Sequence, residues 1–141
     1  MTQCQIKTFP SVLDHLPSML RFVRDKALSV GCNAKLLKQI ELVAEEALVN
    51  IVHYAYPAQS EGKISISCQG SVKVGKLVIE IRDQGVPYNP LKEPVSSPEN
   101  LPLQERKVGG LGRFFILKLM DQVSYVREGD TNILRMVKEI H

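Results

Sequence analysis

The hydrophobic positions of the chain fall into stretches with helical spacing and stretches with strand alternation. Helical spacing over 11–31, 33–54 and 109–120 predicts three helices. Pro17 suits the first turn of the first helix, and Asn33 is a good N-cap for the second. Each helix therefore has a local start signal in addition to its apolar face.

Period-two alternation predicts strands at 62–70, 75–82, 122–127 and 132–140, with a shorter opening strand at 3–9. Short polar turns join these strands in pairs, which is typical of hairpins and argues against a doubly wound parallel sheet. The order of elements predicts an α/β sandwich with much antiparallel pairing.

Residues 85–108 depart from both patterns. Five prolines stand among Ser, Asn and Glu residues, so regular secondary structure is not expected there. A loop of this length inside a compact domain is more often a binding loop or lid than a plain connector.

Composition and charge argue against several classes of protein. With 141 residues we expect one domain, and no apolar run reaches the ~18 residues of a membrane helix. The N-terminus lacks the apolar centre of a signal peptide, so a cytoplasmic protein is expected. A net charge of +3 on scattered Lys and Arg residues does not indicate nucleic-acid binding. The three dispersed cysteines predict reduced, buried thiols.

Glu46 and Asn50 are the first candidate site residues. A spacing of four places them on one face of the second helix, one turn apart, whereas the adjacent Glu45 diverges by about 100°. An amide oxygen is a suitable ligand for a hard cation such as Mg²⁺, and a nearby carboxylate can accept a proton. A solvated Asn on the outer face of the helix is the alternative reading.

The segment after the strand at 75–82 carries the second candidate. Asp83 can accept a hydrogen bond from an exocyclic amine such as that of adenine, and Gly85 lets backbone approach a flat base. A simple D-x-G turn accounts for the same residues equally well.

Gly109, Gly110 and Gly112 precede the third predicted helix. Free backbone N–H groups and the helix dipole at such a position favour phosphate. A flexible hinge for the preceding loop is the alternative, and the two are compatible. Arg106 and Lys107 could reach a γ-phosphate, although a solvated basic pair is the commoner arrangement.

In order and spacing, these elements resemble the motifs of the GHKL ATP-binding superfamily. Glu46-x-x-x-Asn50 is similar to the asparagine box, and Asp83-x-Gly85 and Gly109-Gly110-x-Gly112 to the two glycine boxes. The finer match, over nearly the whole chain, is to the anti-sigma-factor serine/threonine kinases of the RsbW and SpoIIAB type. It rests on the segments AEEALVNIVHYAYP, DQGVPYNP, GGLGRFFILKLMDQVSY and TNILRMVK.

The resemblance implies a Bergerat fold: a two-layer sandwich of a mixed, mostly antiparallel sheet with helices on one face. It also implies one domain over 1–141 with an ATP lid at about 86–108. Carried over by position, the site residues have these expected roles: Glu46 the general base, Asn50 the Mg²⁺ ligand, Asp83 and Gly85 the adenine contacts, Thr131 near the base, and Gly110 and Gly112 the phosphate contacts.

The implied function is an ATP-dependent protein serine/threonine kinase that phosphorylates an anti-sigma-factor antagonist and sequesters a sigma factor, commonly as a homodimer. No direct contact with nucleic acid or membrane is expected. Two alternatives remain: a non-catalytic ATP-gated binding module, and a detached histidine-kinase catalytic domain acting in trans.

Overall fold

The computed structural model describes residues 3–57, 61–92 and 110–140. Over these ranges the chain forms five strands, three α-helices and one 3-10 turn. In chain order they are β1 (Gln3–Pro10), the 3-10 turn (Leu13–His15), α1 (Leu16–Ser29), α2 (Ala34–Tyr54), β2 (Lys63–Ser71), β3 (Lys76–Asp83), α3 (Gly110–Leu119), β4 (Gln122–Glu128) and β5 (Thr131–Glu139).

The helices begin and end at the predicted signals. The Asn33 side chain accepts a hydrogen bond from the backbone N–H of Leu36 at 2.9 Å, which caps α2. Pro17 lies in the first turn of α1, and Gly31 follows that helix with a φ of 95°, a left-handed conformation that glycine adopts without strain.

The five strands form one sheet in the order β1-β2-β3-β5-β4. All four pairings are antiparallel within the described residues, so the predicted, mostly antiparallel α/β fold is confirmed. The middle pairings place Asp83 at the end of β3 directly opposite Asn132 on β5. This pair lies at the sheet edge from which the candidate binding loop leaves.

The three helices pack on one face of the sheet. Ile66, Ile81 and Leu134 face each other across β2, β3 and β5, and they share one buried cluster with α1 and α2 residues such as Met19 and Ile40. On the other face, a row of polar residues remains partly exposed, and Arg135 pairs with Glu80 at 3.7 Å. The core is therefore a single layer between the helices and the sheet.

The cysteine prediction holds for two of three residues. Cys32 and Cys68 are free and buried, and burial raises the pKa of the Cys68 thiol to about 12. Cys4 is free but exposed, because it lies on β1 at the sheet edge and faces away from the helices.

None of the described helices is both long and apolar enough to span a membrane. Of the predicted lid at about 86–108, only 86–92 belongs to the described ranges. Gly109, Arg106 and Lys107 lie outside them.

Candidate functional site

A small cavity lies between the C-terminal half of α2 and the ends of β3 and β5. Its walls include Asn50, Asp83, Asn132, Tyr88 and Tyr125, and its volume is about 20 Å³. That is room for about one water molecule, so a larger ligand can enter only if a lining residue moves. Two of the predicted site residues, from distant parts of the sequence, thus share one enclosed space.

Glu46 and Asn50 lie on α2 facing the first turn of α3. A Cβ built on Gly112 would lie 2.9 Å from Glu46 Oε2 and 3.6 Å from Asn50 Nδ2. The structure therefore brings together the asparagine-box pair and the second glycine element, as the spacing in the sequence predicted. The N-terminal end of α3, where the helix dipole is positive, is next to the Glu46 carboxylate.

The Asn50 side chain is buried but makes no hydrogen bond within the described ranges. Its residue exposure is only 7 %, yet none of the hydrogen bonds among residues 3–57, 61–92 and 110–140 uses its amide. Among the described residues, Ser11 Oγ is the side-chain atom that is both fully buried and without a partner, so the Asn50 amide atoms retain some access to the space beside them. The solvated alternative for Asn50 is therefore wrong, and its amide is available to the cavity.

Asp83 is held at the end of β3 by two hydrogen bonds to one oxygen. Its Oδ1 accepts from the backbone N–H of Gly85 and from the Asn132 side-chain amide, both at 2.9 Å. The carboxylate is 5 % exposed and lines the cavity. The D-x-G turn and the site are thus both present, because the turn is what fixes the carboxylate.

Gly85 packs against the end of α2, a role that the sequence did not predict. A Cβ on this residue would lie 2.1 Å from the carbonyl oxygen of Ala55, at the end of α2. The neighbouring Val86 N–H donates to that same carbonyl at 2.7 Å. Glycine is required here because the loop after β3 touches backbone of α2. The expected approach of Gly85 to a base stays a prediction.

Thr131 lies outside this cavity but lines a neighbouring groove that also includes Asp83, and its hydroxyl donates to the side chain of Asp130 at 2.9 Å. Successive residues of a strand point to opposite faces, so Thr131 faces away from the helices and its neighbour Asn132 faces the cavity. A place for Thr131 near the base stays a prediction.

Asn132 is the site residue that the sequence did not reveal. Its Nδ2 donates to Asp83 Oδ1 at 2.9 Å and to the carbonyl of Val86 at 2.8 Å. Its Oδ1 accepts from the Tyr125 hydroxyl and, at 3.4 Å, from the backbone N–H of Tyr88. Its alternation with the core residue Leu134 was the available signal, once β5 was recognised as a strand.

The described start of the binding loop is tied to both sides of the site. Arg127 Nη1 donates to the carbonyl of Gly85 at 2.8 Å, and Arg113 Nε in α3 donates to the carbonyl of Leu91 at 2.9 Å. Tyr88 packs near Tyr54 with ring centroids 6.3 Å apart. Burial, reinforced by the nearby Tyr54, raises the pKa of the Tyr88 phenol above its usual value.

The donor set suits Mg²⁺ held jointly with phosphate. The described residues contain no cluster of three His, Cys, Asp or Glu side chains. Mg²⁺ in nucleotide sites uses one or two protein oxygen ligands and completes its shell with phosphate and water. The Asn50 amide, which makes no hydrogen bond with the described residues and lies near Gly112 at the start of α3, fits that pattern.

A family model for the histidine kinase-like ATPase domain matches residues 9–138. The chain belongs to this family. The match extends from the end of β1 to the end of β5 and so includes every element of the site. The predicted resemblance to the GHKL superfamily is thereby confirmed.

Comparison with individual proteins places this ATPase domain close to the RsbW type. It is 26 % identical over 107 residues to the serine-protein kinase RsbW of Listeria innocua, an alignment that covers 73 % of this chain and 67 % of the relative. Among solved structures it resembles the RsbU and RsbW domains of a Mycobacterium tuberculosis protein, with a TM-score of 0.68 and 12 % identity. That alignment covers 98 % of this chain and 32 % of the other.

The Acinetobacter baumannii histidine kinase AdeS has the same fold at a TM-score of 0.50 and 12 % identity, covering 97 % of this chain and 69 % of that protein. At such identities the two structural matches establish the fold of the ATPase domain alone. The resemblance to the RsbW type rests on the sequence match together with the fold.

Proposed function

We propose that this chain is an ATP- and Mg²⁺-dependent protein serine/threonine kinase of the anti-sigma-factor type. The observation that carries the proposal is the meeting of Glu46, the unpartnered Asn50 amide and Gly112 at the start of α3. The family membership and the RsbW relative support it.

In this proposal Asn50 holds Mg²⁺ through its amide oxygen. The bound ion would supply neutralisation of phosphate charge, which is its usual contribution to phosphoryl transfer. Backbone N–H groups at Gly110 and Gly112, at the positive end of α3, would bind the phosphates. Asp83, fixed by Gly85, would accept a hydrogen bond from the adenine amine.

Glu46 is the proposed general base. Its carboxylate is half-buried on α2, one turn from Asn50, and makes no hydrogen bond with the described residues. It would accept the proton of a serine or threonine hydroxyl as that oxygen attacks the γ-phosphorus and ADP leaves. Proton acceptance by a positioned side chain typically contributes about 10²–10⁴-fold to a rate.

The proposed partners are a sigma factor, which the protein sequesters, and an anti-sigma-factor antagonist, which it phosphorylates. We further propose a single domain over 1–141, a lid at about 86–108, a homodimer and a cytoplasmic location. The similarity to RsbW, a serine-protein kinase in Listeria innocua, supports these proposals.

The test compares Glu46→Ala with Glu45→Ala, its exposed neighbour, which lies on the groove between α1 and α2. With ATP, Mg²⁺ and a candidate antagonist, Glu46→Ala should lower transfer about 10²–10⁴-fold while ATP affinity changes by less than about threefold. Glu45→Ala should leave both unchanged. Equal transfer by wild type and Glu46→Ala would remove Glu46 from the mechanism.

A non-catalytic ATP-gated module is the second candidate, and the ties between the site and residues 86–91 favour it. Asn132 bonds Val86 and Tyr88, and Arg113 bonds Leu91, so filling the cavity would move this segment. Partner affinity that changes with ATP, without any phosphorylated product, would identify this function. An acid-labile phosphohistidine on the partner would instead identify a histidine-kinase domain acting in trans.

A further inference from the structure

We infer that Asn132 is a positioning residue that sets the base selectivity of the nucleotide site, acting through Asp83. The inference rests on the proposed ATP binding and goes beyond it by naming the residue that orients the recognising carboxylate. Asn132 itself is not expected to touch the ligand.

One carboxylate oxygen of Asp83 remains available to a ligand. Oδ1 accepts two hydrogen bonds, from the Gly85 N–H and from Asn132 Nδ2, each at 2.9 Å. Within the described parts of the chain, Oδ2 accepts no hydrogen bond. The carboxylate lines the cavity, so Oδ2 is the oxygen left to accept from a ligand.

The Asn132 amide makes all of its hydrogen bonds within the protein. Its two N–H bonds donate to Asp83 Oδ1 and to the Val86 carbonyl. Its oxygen accepts from the Tyr125 hydroxyl and from the Tyr88 N–H. An Asn side chain has no further donor, so Asn132 acts on a base only by holding the Asp83 carboxylate in one rotation.

A purine base can enter the cavity only if part of the cavity wall moves. The cavity of about 20 Å³ is too small for a purine, and Tyr88 and Pro90 form part of its wall. Of the hydrogen bonds made by Asn132, the one from the Tyr88 N–H is the longest, at 3.4 Å, and is the weakest. Tyr88 can therefore move while the bonds to Asp83 and Val86 persist.

The chemical consequence is discrimination by the group at purine position 6. An amine there donates to Oδ2, whereas a carbonyl oxygen there would face the carboxylate oxygen and be repelled. Hydrogen bonds to charged groups correspond to about 10- to 100-fold in affinity. That discrimination requires a carboxylate that does not rotate, because rotation would let the site adapt to the wrong base.

The experiment measures affinity for ATP and for inosine triphosphate, which has a carbonyl in place of the 6-amine. Wild type should prefer ATP by at least about tenfold. Asn132→Ala should reduce this preference to less than about threefold. Arg135→Ala, on the open face of β5 where Arg135 pairs with Glu80, should keep it.

A purely structural role for Asn132 would weaken both nucleotides equally and leave the preference intact, and that result would overturn the inference. If Asn132→Ala does not fold, the side-chain amide resonance of Asn132 in the wild type is followed by NMR. It should shift with ATP more than with inosine triphosphate at equal saturation, and equal shifts would overturn the inference. Wild type that binds neither nucleotide would overturn the proposed function itself, and the inference with it.

Discussion

Asn50 and Asn132 line the same cavity, and both are almost fully buried, with exposures of 7 % and 4 %. They differ in how their amides are used. Asn132 makes four hydrogen bonds to Asp83, Val86, Tyr88 and Tyr125, whereas Asn50 makes none with the described residues. A protein retains a buried polar group of the first kind for its own architecture and one of the second kind for a ligand.

The two residues therefore have different expected roles: Asn132 contributes to stability, and Asn50 contributes to function. Removing Asn132 should cost stability because its partners stay behind without hydrogen bonds. Removing Asn50 should cost function alone because no protein group depends on it. Four measurements test this division.

The largest effect is expected for Asn50→Ala. Loss of the proposed metal ligand should lower phosphoryl transfer by about 10²–10³-fold, in the range seen when one preorganised electrostatic group is removed. The free energy of unfolding should stay constant or rise by up to about 0.5 kcal/mol, since Asn is a poorer helix former than Ala. Single-turnover assays and urea denaturation measure the two quantities. A large loss of stability would show that Asn50 is also structural.

Asn132→Ala is expected to lower the free energy of unfolding by about 2–3 kcal/mol. The carbonyl of Val86 would lose its donor from Asn132, Asp83 Oδ1 would keep only the Gly85 N–H, and an unsatisfied buried group costs about 1–3 kcal/mol. Urea denaturation of this variant beside Asn50→Ala measures the difference directly. Equal free energies of unfolding for the two variants would show that Asn132 is no more important for stability than Asn50.

Tyr125→Phe is expected to have a smaller effect, about 1 kcal/mol of unfolding free energy, because it removes one donor to Asn132 and keeps the ring. Comparison with Asn132→Ala separates the bond that Tyr125 donates to Asn132 from the bonds that Asn132 donates to Asp83 and Val86. The thermal midpoint and the denaturant midpoint should both fall modestly. A loss as large as that of Asn132→Ala would place the main stabilising bond on Tyr125 instead.

The smallest effect concerns Tyr88, whose backbone bonds Asn132 while its side chain covers the cavity. Burial raises the pKa of its phenol above 10, so the folded state keeps a proton that the unfolded state loses first. The contribution of Tyr88 to stability is therefore fully present below pH 10 and decreases as the pH rises above it. Tyrosinate absorbance should show one late-titrating group that Tyr88→Phe lacks. If the variant instead lacks an early-titrating group, Tyr88 is not covered.

Local signals in the sequence were enough for most of the fold. The Asn33 cap, Pro17 in the first turn of α1 and the strict alternation in β2 and β3 each depend on near neighbours in the chain. Their physical causes act over a few residues, so the element order and the hairpins were predictable.

The site was predictable where a motif is local and not where it depends on register. Glu46 and Asn50 share a helix face by spacing alone. Asn132, by contrast, meets Asp83 across 49 positions of sequence, and a shift of one residue in β5 exchanges it for Thr131. The reason for Gly85 was likewise hidden, because the backbone it touches belongs to Ala55 at the end of another element.

The contact between the loop after β3 and the last turn of α2 has a geometric consequence. Val86 is bonded to the Ala55 carbonyl, and Asn50 lies five residues earlier on the same helix, about 7.5 Å along its axis. The interval between the proposed base end and the proposed metal end of the site is thus set by the rise of the helix. Polar substitutions on the open face of the sheet should leave it unchanged. Inserting a single residue between Asn50 and Ala55 would turn Asn50 by about 100° and carry its amide out of the cavity.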